Sequence, residues 1–512
     1  MIRRNFFKTS DLASVTFLFS LFVTLSFIQI SATAQNTSSP YSRYGIGDIG
    51  GKGFGQGFSL GGTHIAMQND TTPIFFINTG NPASYSSMRL VTAELGANYN
   101  RIQLESSSAK KTINNASLAY ISLAFPFKRW WGGSIGLVPF SSVGYKVSDE
   151  QEIGSVGTVK YLYQGSGGIN QVYFGNAITP FIGLPRHYLM SAKYARLHSL
   201  KRPDQTVKSC HEVYEDTQSI RKDLNRKKFL QSLAVGANAS YLFGNVENTR
   251  RSIFPATLYA FNTCTGTNTR IDGMYFDYGM QMAYTVDSIR FKDKADTCRP
   301  VKFRDLKENV KILFGFTFAA QTNVNATIDS LSYSYFNNSL GYEIVKDTIE
   351  NTQGAKGKIT LPLSMGFGIG FKKGEKWLVA ADFAVQNWSN YKVFGQTQGL
   401  KNSMRVSLGA QYIPNARPNA SYAKRIHYRM GVRYTQTALE LKNTPLNEYA
   451  LSIGCGFPVG RSYILQNFSM VNIGVEFGQR GTVTNGLIKE NFLKATVGFT
   501  INDRWFQRAK FD

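Results

Sequence analysis

The chain has 512 residues, 43% hydrophobic, 13% aromatic and only 18% charged, with 47 Gly, 37 Phe, 27 Tyr and a formal net charge of +24. That much order-promoting residue excludes a disordered protein. A mean hydropathy of −0.21 excludes a bundle of membrane helices, which needs several apolar runs of about 20 residues. Abundant Gly, Tyr and Phe with few helix-favouring charged stretches point to β structure and away from a cytosolic enzyme.

The first element is an export signal over residues 1–34. Arg3, Arg4 and Lys8 form a basic head, Leu12 to Ile30 is mostly apolar, and Ala32-Thr33-Ala34 gives an A-x-A cleavage site before Gln35. The apolar run is long for a signal, so a retained anchor is the alternative; the A-x-A favours cleavage after Ala34. Export directs the basic charge towards outer-membrane lipid, lipopolysaccharide phosphate or cell-wall polymer rather than nucleic acid.

Residues 35–89 do not alternate. They hold Tyr41-Ser-Arg-Tyr-Gly-Ile-Gly-Asp48, the run Gly50-Gly-Lys-Gly-Phe-Gly-Gln-Gly57, Gly61-Gly62 and Asn81-Pro82-Ala83. The spacing G-x-G-x-G with no preceding strand is not a dinucleotide fingerprint. It suits a compact segment packed where only small residues fit, such as the inside of a barrel.

From residue 90 the period is two. Val91, Ala93, Leu95, Ala97 and Tyr99 alternate with polar residues or Gly, and so do Met404 to Tyr412, Ile426 to Tyr434 and Leu493 to Ile501. Alternation over about ten residues is the pattern of a transmembrane strand with one face to lipid and one to a lumen. Fourteen segments are predicted, near 90–104, 114–127, 132–147, 169–181, 231–246, 271–286, 309–325, 357–372, 376–390, 401–413, 426–440, 447–459, 467–480 and 490–503. The even number lets a barrel close with both ends in the periplasm, and closure leaves no unpaired edge in hydrocarbon. The fold expected is therefore all-β: a 14-stranded antiparallel transmembrane β-barrel over 90–512 with an N-terminal hatch in its lumen.

Two connections are long, 182–230 and 287–308, and fall on the periplasmic side of this topology. The first carries 11 Lys/Arg and 5 Asp/Glu. The stretch 326–356, rich in Asn, Ser and Thr, is expected as an outer loop. The topology places Cys210 and Cys298 together on the periplasmic side, Cys264 in an outer loop and Cys455 towards lipid. A Cys210–Cys298 disulfide is the preferred pairing, although spacing alone does not fix connectivity.

The signal, the Gly-rich segment, Asn81-Pro82-Ala83 just before the first strand and the fourteen amphipathic segments resemble the FadL-like family of outer-membrane long-chain fatty-acid and hydrocarbon transporters in Gram-negative bacteria. The closing segments, Arg425-Ile-His-Tyr-Arg-Met-Gly431, Phe477-Gly-Gln-Arg-Gly481 and Asn502-Asp-Arg-Trp-Phe506, look like an uncharacterised subfamily with this fold. The resemblance implies that residues 41–89 are a hatch, and that apolar ligands pass a shifted hatch and a lateral gap in the wall. Phe54, Phe58, Phe75 and Phe76, with Ile65, would line the path; simple hatch packing is the other reading.

Charges fall on the lumen-facing positions: Glu94, Asp382, Arg405, His427, Arg429, Arg433, Glu476 and Lys494. A Lys or Arg facing lipid at mid-membrane costs about 2–4 kcal/mol, so these point inward and pair. A structural ladder is one reading; carboxylate recognition by Arg405, Arg429 or Arg433 is the other, because a guanidinium binds a carboxylate bidentately. No H-E-x-x-H, Walker loop or nucleophile elbow is present, so no enzyme, cofactor or metal site is expected. The expectation is passive uptake of a hydrophobic small molecule across the outer membrane. The alternative is a FadL-like component of a secretion or envelope complex, with a periplasmic or secretion-complex protein as partner and the 182–230 insertion as the binding element.

Overall fold

Alternating apolar and polar side chains place one set of residues in lipid and the other in the lumen, and the chain forms strands wherever that pattern holds. The computed structural model describes residues 39–51, 53–69, 75–181, 229–255, 260–286, 310–338, 340–417, 419–459 and 468–503. The barrel strands are β1 (Val91–Glu105), β2 (Lys110–Lys128), β3 (Trp131–Ile153), β4 (Gly157–Ile178), β5 (Ala234–Ile253) and β6 (Asn262–Val286). Two interrupted strands follow: β7 (Val310–Ala319 and Thr322–Asn337) and β8 (Glu343–Leu361 and Ser364–Lys373). The wall is completed by β9 (Trp377–Gln386), β10 (Ser403–Tyr412), β11 (His427–Leu441), β12 (Thr444–Val459), β13 (Phe468–Arg480) and β14 (Lys489–Asp503). Both segments of β7 pair with β6, and the two of β8 pair with the two of β7. β14 pairs with β1 from Asp503↔Val91 to Lys489↔Glu105. The result is a closed antiparallel barrel of 14 strands.

On β10 the outward Val406, Leu408 and Tyr412 are exposed while Ser407 is buried; on β9 Val379 and Phe383 face out and Asp382 is only 3% exposed. This apolar belt, with Trp377 and Tyr412 in tilted contact at its edge, makes the molecule an outer-membrane β-barrel.

Strands β3 to β8 run on beyond the belt, at the end opposite the insertions. A line of irregularities crosses them where they leave it: a bulge between Pro139 and Ser141 on β3, the break at residues 320–321 on β7, and Pro362, which has no N–H to give, on β8. Inside this bend lies an apolar core containing Ile46, Ile169, Leu242, Tyr275, Leu361 and Trp388. Residues 326–356 are therefore not a loop as expected: they are mostly the outer halves of β7 and β8, joined at 338–342. Beyond the membrane the outer face meets water instead of lipid, so the apolar period fades while the ladder continues, and from Glu343 to Glu350 both faces are exposed. For the same reason Cys264 is not in a loop but buried on β6, and β4 and β6 begin earlier than 169 and 271. Cys455 sits on β12 between outward Ile453 and Phe457, on the lipid side as expected. Cys210 and Cys298 lie outside the described residues.

The N-terminal segment descends through the lumen from Ser39, near the far ends of β13 and β14, to Leu90 at the insertion end. Its fit explains much of the glycine content. An ideal Cβ at Gly279 would fall 2.0 Å from Asn81 Oδ1, at Gly132 2.1 Å from the Tyr85 carbonyl, at Gly315 2.1 Å from the Ile65 carbonyl and at Gly431 2.2 Å from Gly61 N. Glycines on the inner face thus ring the hatch, because only a bare backbone lets plug and wall approach this closely.

Candidate functional site

The hatch is pinned by side chains from all round the wall. Asp382 Oδ2 on β9 accepts the amides of His64 (2.7 Å) and Ile65 (2.9 Å). Ser452 on β12 accepts from Gly61 N at 2.8 Å. On β6, Gln281 Nε2 donates to the carbonyls of Ile65 and Met67, each at 3.0 Å. Asn502 on β14 donates to the Phe75 carbonyl at 3.2 Å. Within the Asn-Pro-Ala motif, Asn81 caps the 3-10 helix Pro82–Ser87 by accepting from Ala83 N. Its Nδ2 donates to the Ile65 carbonyl at 2.7 Å and the Met280 carbonyl at 3.2 Å. The motif is a staple between two hatch turns and β6.

Between hatch and wall lies a cavity of about 580 Å³. One wall carries paired charges: Arg433 Nη2 on β11 donates to Glu448 Oε1 (2.7 Å) and Glu476 Oε1 (2.9 Å). Towards the far end, Arg480 bonds Asp48 at 2.8 Å, Glu490 at 2.7 Å and Ser39 Oγ at 2.6 Å. Beside this group the Tyr41 hydroxyl donates to the Ile488 carbonyl, and burial pushes its pKa up to about 12. Another stretch of the lining is an apolar wall, with Phe54, Leu118, Leu137 and Val138.

That apolar wall lies where the barrel ladder is open. β2 pairs with β3 only from Ile121↔Leu137 to Lys128↔Trp131. β2 continues along β1 to Glu105↔Lys110, and β3 continues along β4 to Ile153↔Gly157. Among the described residues, 110–120 and 138–153 therefore have no pairing with each other. Pro139 cannot donate to a neighbouring strand. From Phe140 to Ser142 the free edge of β3 is taken instead by the hatch, through Asp48↔Ser142, Ile49↔Ser141 and a Gly50 N to Phe140 O bond of 2.9 Å. Leu118 and Ala119 on β2, with Leu137 and Pro139 on β3, belong both to the lips of this split and to the cavity lining. The Tyr120 ring at the lip stacks on Phe54 at 3.9 Å, and its hydroxyl accepts from Gly55 N at 3.0 Å. The cavity is thus bordered by a side opening in the wall.

Of the residues singled out from the sequence, Phe54, Phe58, Arg405 and Arg433 are brought together around the cavity, with His64, Glu476 and Lys494. Phe75 packs among Ile77, Tyr85 and Met88, and half-buried Phe76 is clipped by both ends of the Asn69 amide. Arg429 is 3% exposed and bonds Gln411 Oε1 (2.7 Å) and Asn472 Oδ1 (2.6 Å), away from the cavity. Among the described residues no group of three His, Cys, Asp or Glu is placed to hold a metal ion. Sequence reasoning passed over Asp48, Tyr120, Arg480 and the lips of the split. The one signal was Pro139 inside a strand otherwise read as continuous.

The sequence profile of one family, described as BamG, matches residues 17–201 and 300–512. The chain belongs to the BamG family. No curated protein matches the sequence. Among solved structures, this BamG-family protein is similar to the CymD monoaromatic hydrocarbon channel, at 13% identity over 90% of this chain and 99% of that one, with a TM-score of 0.43. The Pseudomonas putida toluene transporter TodX aligns at 12% identity over 91% and 100%, with a TM-score of 0.46. A Pseudomonas aeruginosa FadL homologue aligns at 10% over 90% and 100%, again with 0.46.

Proposed function

We propose that this barrel admits hydrophobic small molecules, of the long-chain fatty-acid kind, passively into or through the outer membrane. The observation that carries the reading is the split between β2 and β3, whose lips also line the internal cavity. An apolar solute avoids a polar lumen when it can leave sideways into the hydrocarbon, because each buried methylene is worth about 0.8 kcal/mol there. Phe54 and Phe58 supply the apolar contact in this reading, with Arg405 and Arg433 at the polar side. Phe75, Phe76 and Arg429 hold hatch and wall. The hatch, taken as residues 35–89, keeps the lumen from conducting water and ions.

The test is uptake of a labelled 14-carbon fatty acid by cells carrying the protein or its Ala119→Trp variant. A tryptophan at the lip narrows the split. Uptake by the native chain that falls several-fold in the variant supports the reading. Equal uptake with and without the protein refutes it, and leaves a partner-binding role as the competing account.

A further inference from the structure

The cavity holds two charged groups that the protein leaves unfinished. Glu476 has a side chain 1% exposed; Oε1 accepts from Arg433, while Oε2 is buried with no hydrogen-bond partner. Arg405 on β10 lines the same cavity, and among the described residues its guanidinium makes no hydrogen bond and no ion pair. Both lie beside Arg433. Nη1 of Arg405 and Nη1 of Arg433 both lie about 4 Å from the point where a side chain on Gly62 would begin, at 4.0 and 3.9 Å. Arg433 in turn touches Glu476 at 2.9 Å. A buried carboxylate oxygen without a donor is costly, and Arg405, which feels Asp382, Glu448 and Glu476 only at longer range, keeps guanidinium donors for an anion.

Resting on the uptake reading above, we propose that Arg405 and Glu476 form a head-group subsite for a zwitterionic amphiphile. Its anionic group meets the Arg405 guanidinium, its ammonium donates to Glu476 Oε2, and its chain lies on the Phe54 and Phe58 side. A plain fatty acid satisfies only Arg405 and leaves Glu476 Oε2 bare. A hydrocarbon satisfies neither.

The test is a matched set of probes bound to the purified full-length protein in non-ionic detergent and measured by native mass spectrometry. The probes are 2-aminotetradecanoic acid, tetradecanoic acid, tetradecylamine and glycine. The subsite predicts that 2-aminotetradecanoic acid binds about 10-fold tighter than tetradecanoic acid or tetradecylamine, the value of one charge-assisted hydrogen bond. Glycine, with no chain, binds far more weakly. Arg405→Gln, which breaks no hydrogen bond or ion pair among the described residues, removes the preference over tetradecylamine. Equal binding of tetradecanoic and 2-aminotetradecanoic acids overturns the subsite while leaving fatty-acid uptake standing. Glycine binding as tightly as the amphiphile overturns it in favour of a free zwitterion. If no chain-bearing probe binds, both the subsite and the uptake reading fall.

Discussion

Replacing Gly315 by alanine tests whether the hatch is held by close contact with a bare wall. A Cβ at this position would lie 2.1 Å from the Ile65 carbonyl oxygen and 2.5 Å from its carbon, so plug or strand has to move by roughly 1 Å to regain ordinary contact. That same oxygen accepts from Asn81 Nδ2 at 2.7 Å and from Gln281 Nε2 at 3.0 Å. Losing two hydrogen bonds at about 1 kcal/mol each, with at least about 1 kcal/mol of overpacking, brings the total to about 3 kcal/mol. Opening of the hatch should then rise about 100-fold. Hydrogen exchange at the amides of residues 64–67 reads this directly. Gly266→Ala is the control, since its added carbon meets only the Leu331 carbonyl, at 3.9 Å. If Gly315→Ala and Gly266→Ala exchange at the native rate alike, the wall glycines do not position the hatch.

Arg429→Met should lower the melting temperature, because it strands the buried amide of Asn472 at about 1–3 kcal/mol and removes a partner of half-buried Gln411, while fatty-acid binding stays unchanged; thermal melting beside a binding isotherm checks both. Tyr41 should ionise near pH 12 rather than 10, seen as the difference between native and Tyr41→Phe ultraviolet titrations. Because its folded pKa lies above the unfolded value, the stabilisation is fully present below about pH 10. It should be lost as the pH rises through 12.

The wall was legible because lipid enforces it. Lipid-facing positions such as Leu95, Val406 and Ile501 had to be apolar while many lumen positions are small or polar, so the period of two survives in a single sequence. The outer halves of β7 and β8 were hidden because water replaces lipid there and removes that constraint: Thr348 and Glu350 are as acceptable as Ile349. Asp382, Arg405 and Glu476 were legible as inward charges, but not their partners. Asp382 accepts two hatch amides, and Arg480 reaches Asp48 across 432 residues of chain. Such pairings depend on how the plug threads the lumen, which no local pattern records. The split between β2 and β3 left one trace, Pro139, because the absence of a ladder is a relation between two strands and each strand alternates normally.

The central claim is that an apolar molecule reaches the lumen through the side of the wall. A 14-carbon fatty acid with a terminal photoreactive diazirine, partitioned into proteoliposomes and irradiated, tests it directly. The account predicts cross-links on residues 117–120 and 137–140 and on the hatch at Phe54 or Phe58. Cross-links confined to the outer belt, on residues such as Ile473 and Phe499, with none on the lips or the hatch, would contradict it.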